Sequence, residues 1–277
     1  MSPEFFAIAA VAAGVAVALQ LGIEANLSAR RCLLGGIVVA ICALVGARLQ
    51  EVLSVGATTR SLSGYVGFRH VGAIIGGALA VPLVKVFVLR ETKIGDLADA
   101  AVVAFLLAVP IWRIGCVVGG CCFGIPTTLP WAIRYTMHKP AWEFQVAHNL
   151  LPSFWPYSLR VHPLPIYFGL WAAIVGAALW RLRHAKRYAG ELALGGLALH
   201  ELGKYVLEFL RADVSFGAAY VRHASLVVAS MAAVLLVICE TVASRLNERV
   251  AAASTAAVAV VGNPRQFIRA DQANAGS

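Results

Sequence analysis

The chain has 277 residues, 60% of them apolar and 13% charged, with a mean hydropathy of +0.78 and a formal net charge of +9. So few polar side chains cannot cover a soluble globule of this length, which excludes soluble, disordered, collagenous and disulfide-scaffold classes and leaves an integral membrane protein. The positive balance is no nucleic-acid signal, because the basic residues gather at the ends of apolar runs, where they set topology.

A bilayer core of about 30 Å takes about 20 apolar residues per helix. Runs of that kind occur at about 5–23, 33–53, 71–89, 98–116, 165–182, 192–210 and 224–243. The first has Glu4 and no Lys or Arg before its apolar stretch, the wrong flank for a signal peptide, so it reads as a true span. Runs this long, without period-two alternation, exclude a barrel. An all-α polytopic membrane protein with about seven transmembrane helices is expected.

Placing the amino terminus outside sends Arg30, Arg31, Lys85, Arg90, Lys93, the Arg181–Arg187 cluster, Arg245, Arg249, Arg265 and Arg269 to the cytoplasm. They outnumber Arg60, Arg69, Arg134, Lys139, Arg160 and Arg222 on the other side. The carboxyl terminus is then cytoplasmic. One membrane-embedded domain is expected over 1–249, with a small outer-face head segment, rich in Pro, Trp and His, at about 119–163. Residues 250–277, an Ala/Val stretch too short to span and then a polar end, read as a disordered cytoplasmic tail.

A charge inside a span costs at least about 2.5–3.5 kcal/mol on insertion scales, so each such residue faces a partner, a cavity or a substrate. Arg48 ends the second span one turn from Glu51, and either pairs and snorkels there or faces a ligand. Asp99 and Arg113 sit near opposite ends of the fourth span, about 21 Å apart along a helix, and cannot be partners. Arg113 precedes Gly115-Cys116-Val117-Val118-Gly119-Gly120-Cys121-Cys122-Phe123-Gly124. A guanidinium beside backbone N–H groups opened by glycine suits a phosphate oxyanion, a structural ion pair being the alternative.

The sixth span carries His200, Lys204, Glu208 and Arg211 at steps of four, four and three, with Glu201 and Tyr205 beside them. The other faces are apolar, so this stripe looks into the bundle, although Lys204 and Glu208 can also simply neutralise each other. Cys116, Cys121 and Cys122 offer a thiol redox pair or, with His162, four zinc ligands. Their spacing matches neither a C-x-x-C pair nor a recurrent zinc pattern, so small packing residues are the blander reading, and no metal and no cofactor are expected. His138, His148 and Arg134 read as surface or headgroup contacts, His162-Pro163 as fixing the start of the fifth span, Arg222 and His223 as interfacial anchors, and His184 as part of the topology cluster.

Several of these pieces recur in one order. Arg113-Ile114-Gly115 through Gly124, followed by Thr128-Leu129-Pro130-Trp131-Ala132, resembles the signature loop of bacterial prolipoprotein diacylglyceryl transferases. Gly46-Ala47-Arg48 is similar to the family's arginine near the end of the second helix, and Gly72-Ala73-Ile74-Ile75-Gly76 to its Gly-rich third-helix start. Asp99 keeps the family spacing to Arg113, His162-Pro163 with Ile166-Tyr167 resembles its His-Pro and following Leu-Tyr, and Tyr205 to Asp213 resembles its sixth-helix ending.

The resemblance implies a bacterial inner (plasma) membrane enzyme that moves diacylglycerol from phosphatidylglycerol to the lipobox cysteine thiol of a preprolipoprotein, releasing glycerol phosphate. It implies Arg113, Lys204 and Arg48 on phospholipid, with Glu208, Cys116, Cys121 and Gly124 supporting. The chain departs from the family at the chemistry. The family's helix-three histidine position is Val71, with His70 one residue away; its loop asparagine is Cys116, its loop glutamate Cys121, and a sixth-helix tyrosine His200. The second phosphate-binding arginine is Lys204, which keeps charge but loses the bidentate fork. No counterpart of the first-helix tyrosine is found. His70 and His200 are therefore the candidate bases. The alternatives are a homologue that binds phospholipid or lipoprotein precursor without catalysis, and a thiol-based membrane protein.

Overall fold

The computed structural model describes residues 2–55, 70–212 and 218–261. Eight α-helices follow in chain order among them: α1 (Pro3–Glu24), α2 (Ala29–Val55), α3 (His70–Phe87), α4 (Ile94–Gly119), α5 (Pro140–Ala147), α6 (Leu164–Leu182), α7 (Glu191–Leu207) and α8 (Ala218–Val261), with a 3-10 turn at Glu208–Leu210 after α7. Six of them, α1 to α4, α6 and α8, are long and apolar enough to cross a membrane. Helix α7, expected as a span over 192–210, is shorter, at 17 residues. The described residues hold only isolated bridges, no strands, which fits the all-α membrane class.

The chain divides into two compact units, Met1–Ala233 and Val234–Ser277. In the second, the described residues are helical to Val261, because the Ala/Val stretch past Arg249 is composed largely of a strong helix former. The polar tail expected to be disordered lies mostly outside the described residues, as do Arg60, Arg69, Asp213, Arg265 and Arg269.

Within the first unit α1 packs on α4, α2 on α3, and α4 on α6 and α7. The α2–α3 crossing depends on glycine: a Cβ on Gly46 would collide with the Gly72 carbonyl, and one on Gly76 with the Cys42 carbonyl. Such backbone approach is what small residues provide where lipid supplies no hydrophobic drive. The α4–α6–α7 core is Val103, Leu106, Ala172, Val175, Leu179 and Leu192.

The charged connections expected to be cytoplasmic gather at one end. Arg31 pairs with Glu91 at 2.7 Å and Arg183 with Glu24 at 3.0 Å, while Lys186 reaches Asp96 at 2.5 Å and Asp99 at 2.8 Å. Asp99 is buried and also accepts from the backbone N–H groups of Gly190 and Ala193, so it caps the amino end of α7. Burial works against the Lys186 ammonium, but its bonds to Asp96 and Asp99 outweigh that and hold its pKa above the ordinary lysine range.

At the other end lies the head segment. Its core is Phe123, Tyr135, Ala141 and Val161, and bridges join Pro126 and Ile133 to Val161 and Gly124 to Arg211. Gly124 has no room for a side chain: a Cβ there would lie 2.6 Å from His162 Cβ. The His162-Pro163 pair does fix the start of α6, with Pro163 as its N-cap, and Tyr167 Oη accepts from Trp131 Nε1 at 2.7 Å.

Candidate functional site

A cavity of about 1020 Å³ runs through the first unit from the charged connections to the head end. At the head end its wall brings together side chains from α3, α4, α7 and the loop after α4, among them His70, Arg113, His200, Lys204, Glu208 and Arg211. These residues are separated by up to 141 positions in sequence and meet because α3, α4 and α7 all have an end here.

The stripe on α7 faces inward as its periodicity predicts. His200, Lys204 and Glu208 are each 2–3% exposed, and Glu201 is fully buried. Lys204 Nζ donates to Glu208 Oε1 at 2.9 Å and to Ser225 Oγ at 3.2 Å. Arg211 Nη1 donates to the same Glu208 oxygen at 3.3 Å. Glu208 therefore holds two cations, and the neutralising pair considered for Lys204 is present.

Arg113 is placed differently. Its guanidinium lies 4.6 Å over the Phe168 ring and, among the described residues, has no hydrogen bond or ion pair. Gly169 of α6 packs beside it, where a Cβ would lie at ordinary contact distance, 3.4 Å, from Arg113 Cβ. Lys204 and Arg211 both donate to Glu208, so among the described residues of this wall Arg113 is the cation with bonding capacity to spare.

His70 opens α3, and its Nε2 lies 3.2 Å from Glu201 Oε2. His200 Nε2 is 4.0 Å from the other oxygen of the same carboxylate, and its ring meets Phe105 edge-on. His200 Nδ1 and Glu201 Oε1 are buried without a hydrogen-bond partner. Glu201 thus stands between two imidazoles, an arrangement that fixes the tautomer of His70 and leaves its second nitrogen for a proton. Glu201 was not among the candidate site residues. Its signal was available: a carboxylate beside a histidine inside an apolar helix requires a partner.

Of the remaining expected residues, Cys116 and Cys121 line the cavity with Cys122, whereas Gly124 is a packing position and Arg48 is not on the cavity wall, although Ala47, Gln50 and Glu51 are. Gln50 Oε1 accepts from the Gly72 N–H at 2.6 Å, tying α2 to the first turn of α3 beside His70. Contacts with the thiols of Cys116 and Cys122, together with burial, push the Cys121 thiol up, so at neutral pH it is protonated and a poor free nucleophile. Burial, and then the three nearby thiols, likewise raise the Tyr135 phenol.

Residues 5–244 match the family model described as prolipoprotein diacylglyceryl transferase. The chain belongs to this family. Among similar proteins are the phosphatidylglycerol–prolipoprotein diacylglyceryl transferase of Clostridium tetani, 31% identical over 148 residues that cover 53% of each chain, and that of Frankia alni, 32% identical over 184 residues, 62% of this chain and 44% of the relative. A second such transferase of Clostridium perfringens is 29% identical over 147 residues, 53% of this chain and 51% of its own. The chain thus spans about half the length of the relatives it matches. Family membership and the apolar helices make it a bacterial membrane protein.

Proposed function

We propose that the protein transfers diacylglycerol from phosphatidylglycerol to the lipobox cysteine thiol of a prolipoprotein, with His70 as general base. The observation that carries this reading is His70, held at 3.2 Å by the buried Glu201, on the same cavity wall as the Arg113 guanidinium, which has no ion-pair partner among the described residues. The acceptor thiol gives its proton to the His70 nitrogen not bonded to Glu201. The thiolate attacks the glycerol carbon that carries the phosphate ester, a C–S bond forms, the C–O bond breaks, and glycerol phosphate leaves.

Arg113 holds the departing phosphate, whose charge grows as the C–O bond breaks, and Lys204 and Arg211 add positive potential from behind Glu208. Glu201 is the positioning residue for His70, and His200 backs the same carboxylate from its other side. Arg48, near the end of α2, is assigned to the phospholipid headgroup outside the cavity, and Cys116, Cys121 and Gly124 to shaping the loop above Arg113. The distribution of Lys and Arg supports the orientation with the amino terminus and the head segment outside and residues 250–277 in the cytoplasm.

The test is complementation. In a bacterium depleted of its own diacylglyceryl transferase, the chain restores growth and lipid-modified lipoprotein, while Arg113→Ala and His70→Ala do not. Failure of the wild-type chain at normal membrane expression would sink the transferase reading and leave a lipid-binding homologue. Rescue by His70→Ala would remove His70 as the base.

A further inference from the structure

We propose that Cys116, Cys121 and Cys122 form a binding site for a thiophilic monovalent d10 cation, with Cu(I) as the best fit. The site is independent of the transferase reading. Sequence spacing gave it no support, because two of the three cysteines are adjacent. Backbone geometry overrides that spacing. Cys116 closes the last turns of α4, Gly120 reverses the chain at φ 74°, and Cys122 itself holds φ 57°, a left-handed conformation that side-chain-bearing residues rarely adopt. The reversal folds Cys121 back so that its Sγ lies 3.8 Å from the Cys116 carbonyl.

All three sulfur atoms lie within 4.8 Å of one another. An ion held in a plane by three sulfurs at about 2.3 Å each needs them about 4.0 Å apart, a separation within that limit. Among the described residues no fourth His, Cys, Asp or Glu donor joins the cluster, which leaves tetrahedral zinc one ligand short. Three soft sulfurs without a fourth donor favour Cu(I).

The charge also balances. Three thiolates and one Cu(I) carry two negative charges; Arg211 Nη2 lies 3.7 Å from Cys122 Sγ, and Arg113 sits one helical turn before Cys116. All three cysteines line the cavity, so an ion has a route to them, and binding displaces the thiol protons. An occupied site draws on the Arg113 guanidinium that the transferase reading assigns to phosphate and on the Arg211 guanidinium that adds potential there, so on that reading the metal is an inhibitor.

The experiment uses the purified full-length protein, reduced, in detergent under argon, titrated with Cu(I) against bicinchoninate. One equivalent is expected to bind. Serine at any one of the three positions weakens it by at least about 10–100-fold, the range already seen when only an outer-shell partner of a metal is lost, and the triple variant abolishes it. A Cys32→Ser/Cys42→Ser/Cys239→Ser variant binds as the wild type does. X-ray absorption on the wild-type complex, which needs no variant to fold, shows sulfur neighbours only. No stoichiometric binding, retention in the triple variant, or nitrogen and oxygen neighbours at the metal would each overturn the site. No transferase activity in the metal-free protein, with stoichiometric Cu(I) binding intact, would count against the transferase reading alone.

Discussion

Replacing Glu201 by Gln keeps the shape of a fully buried side chain and removes the charge that faces His70 Nε2 at 3.2 Å. A hydrogen bond to a charged partner contributes about 1.5–3 kcal/mol, and each 1.36 kcal/mol of barrier is tenfold in rate, so kcat should fall by about 10- to 150-fold. KM for phosphatidylglycerol should move little, because the phosphate is assigned to Arg113, on another helix. The assay is transfer of labelled diacylglycerol to a lipobox peptide in mixed micelles. The discriminating measurement is the double variant: if Glu201 acts through His70, adding Glu201→Gln to His70→Gln costs nothing further, because the single change has already removed the base. Additive losses, or a Glu201→Gln enzyme with wild-type kcat, would refute the reasoning and assign Glu201 to folding.

Lys204→Met leaves the buried Glu208 with Arg211 at 3.3 Å as its remaining ion-pair partner and should destabilise the protein by about 3–5 kcal/mol, seen as a lower Tm in detergent, with Lys204→Met/Glu208→Leu less affected than the single change. Gly72→Ala drives a methyl group into the Gly46 carbonyl and should cost about 1–3 kcal/mol, whereas Gly77→Ala, whose nearest neighbour is Ala43 Cβ at 3.9 Å, should be neutral in the same melt. Lys186 has a raised folded pKa, so its contribution is complete below the unfolded lysine value of about 10.4 and is lost as pH rises through the folded one. The alkaline decline in Tm above that value should therefore be smaller in Lys186→Met, and an unchanged slope would show that Asp96 and Asp99 do not hold it.

The spans were legible because lipid imposes one rule on every residue of a run, and charge placement marked which loops share an end. Arg31–Glu91, Arg183–Glu24 and Lys186–Asp99 are the structural form of that asymmetry. The inward stripe of α7 was legible for the same reason, since polar residues at helical spacing among apolar ones have one direction to face. What was not legible is which acid meets which base. His70 and Glu201 are 131 positions apart, and the small residues that mark a close α2–α3 crossing do not say which acid of α7 the first turn of α3 will meet. The thiol cluster was hidden for a different reason: it is made by a positive φ at Gly120 and Cys122, and linear spacing does not report a chain reversal. Arg48 was singled out correctly as a charge within a span, but its position on α2 leaves it outside the cavity wall that its neighbours Ala47 and Gln50 line.

The polar stripe of α7 also accounts for the way that helix ends. Buried acids in an apolar bundle are tolerable only beside groups that answer their charge: Glu208 accepts from both Lys204 and Arg211, and Glu201 faces His70 at 3.2 Å with His200 4.0 Å from its other oxygen. Continuing α7 as a regular helix would keep Arg211 on the same rigid face as Lys204. Instead the chain tightens into a 3-10 turn at Glu208–Leu210 and extends at Arg211, which bridges to Gly124 in the head while its guanidinium turns back to Glu208 and Cys122. That bridge requires a residue without a Cβ at 124, where His162 Cβ and the Leu210 carbonyl are already in contact distance. Arg211 is thereby used twice, once by its backbone to close the head onto the bundle and once by its side chain to satisfy Glu208. Among the described residues this leaves Arg113 on the cavity wall without a carboxylate of its own.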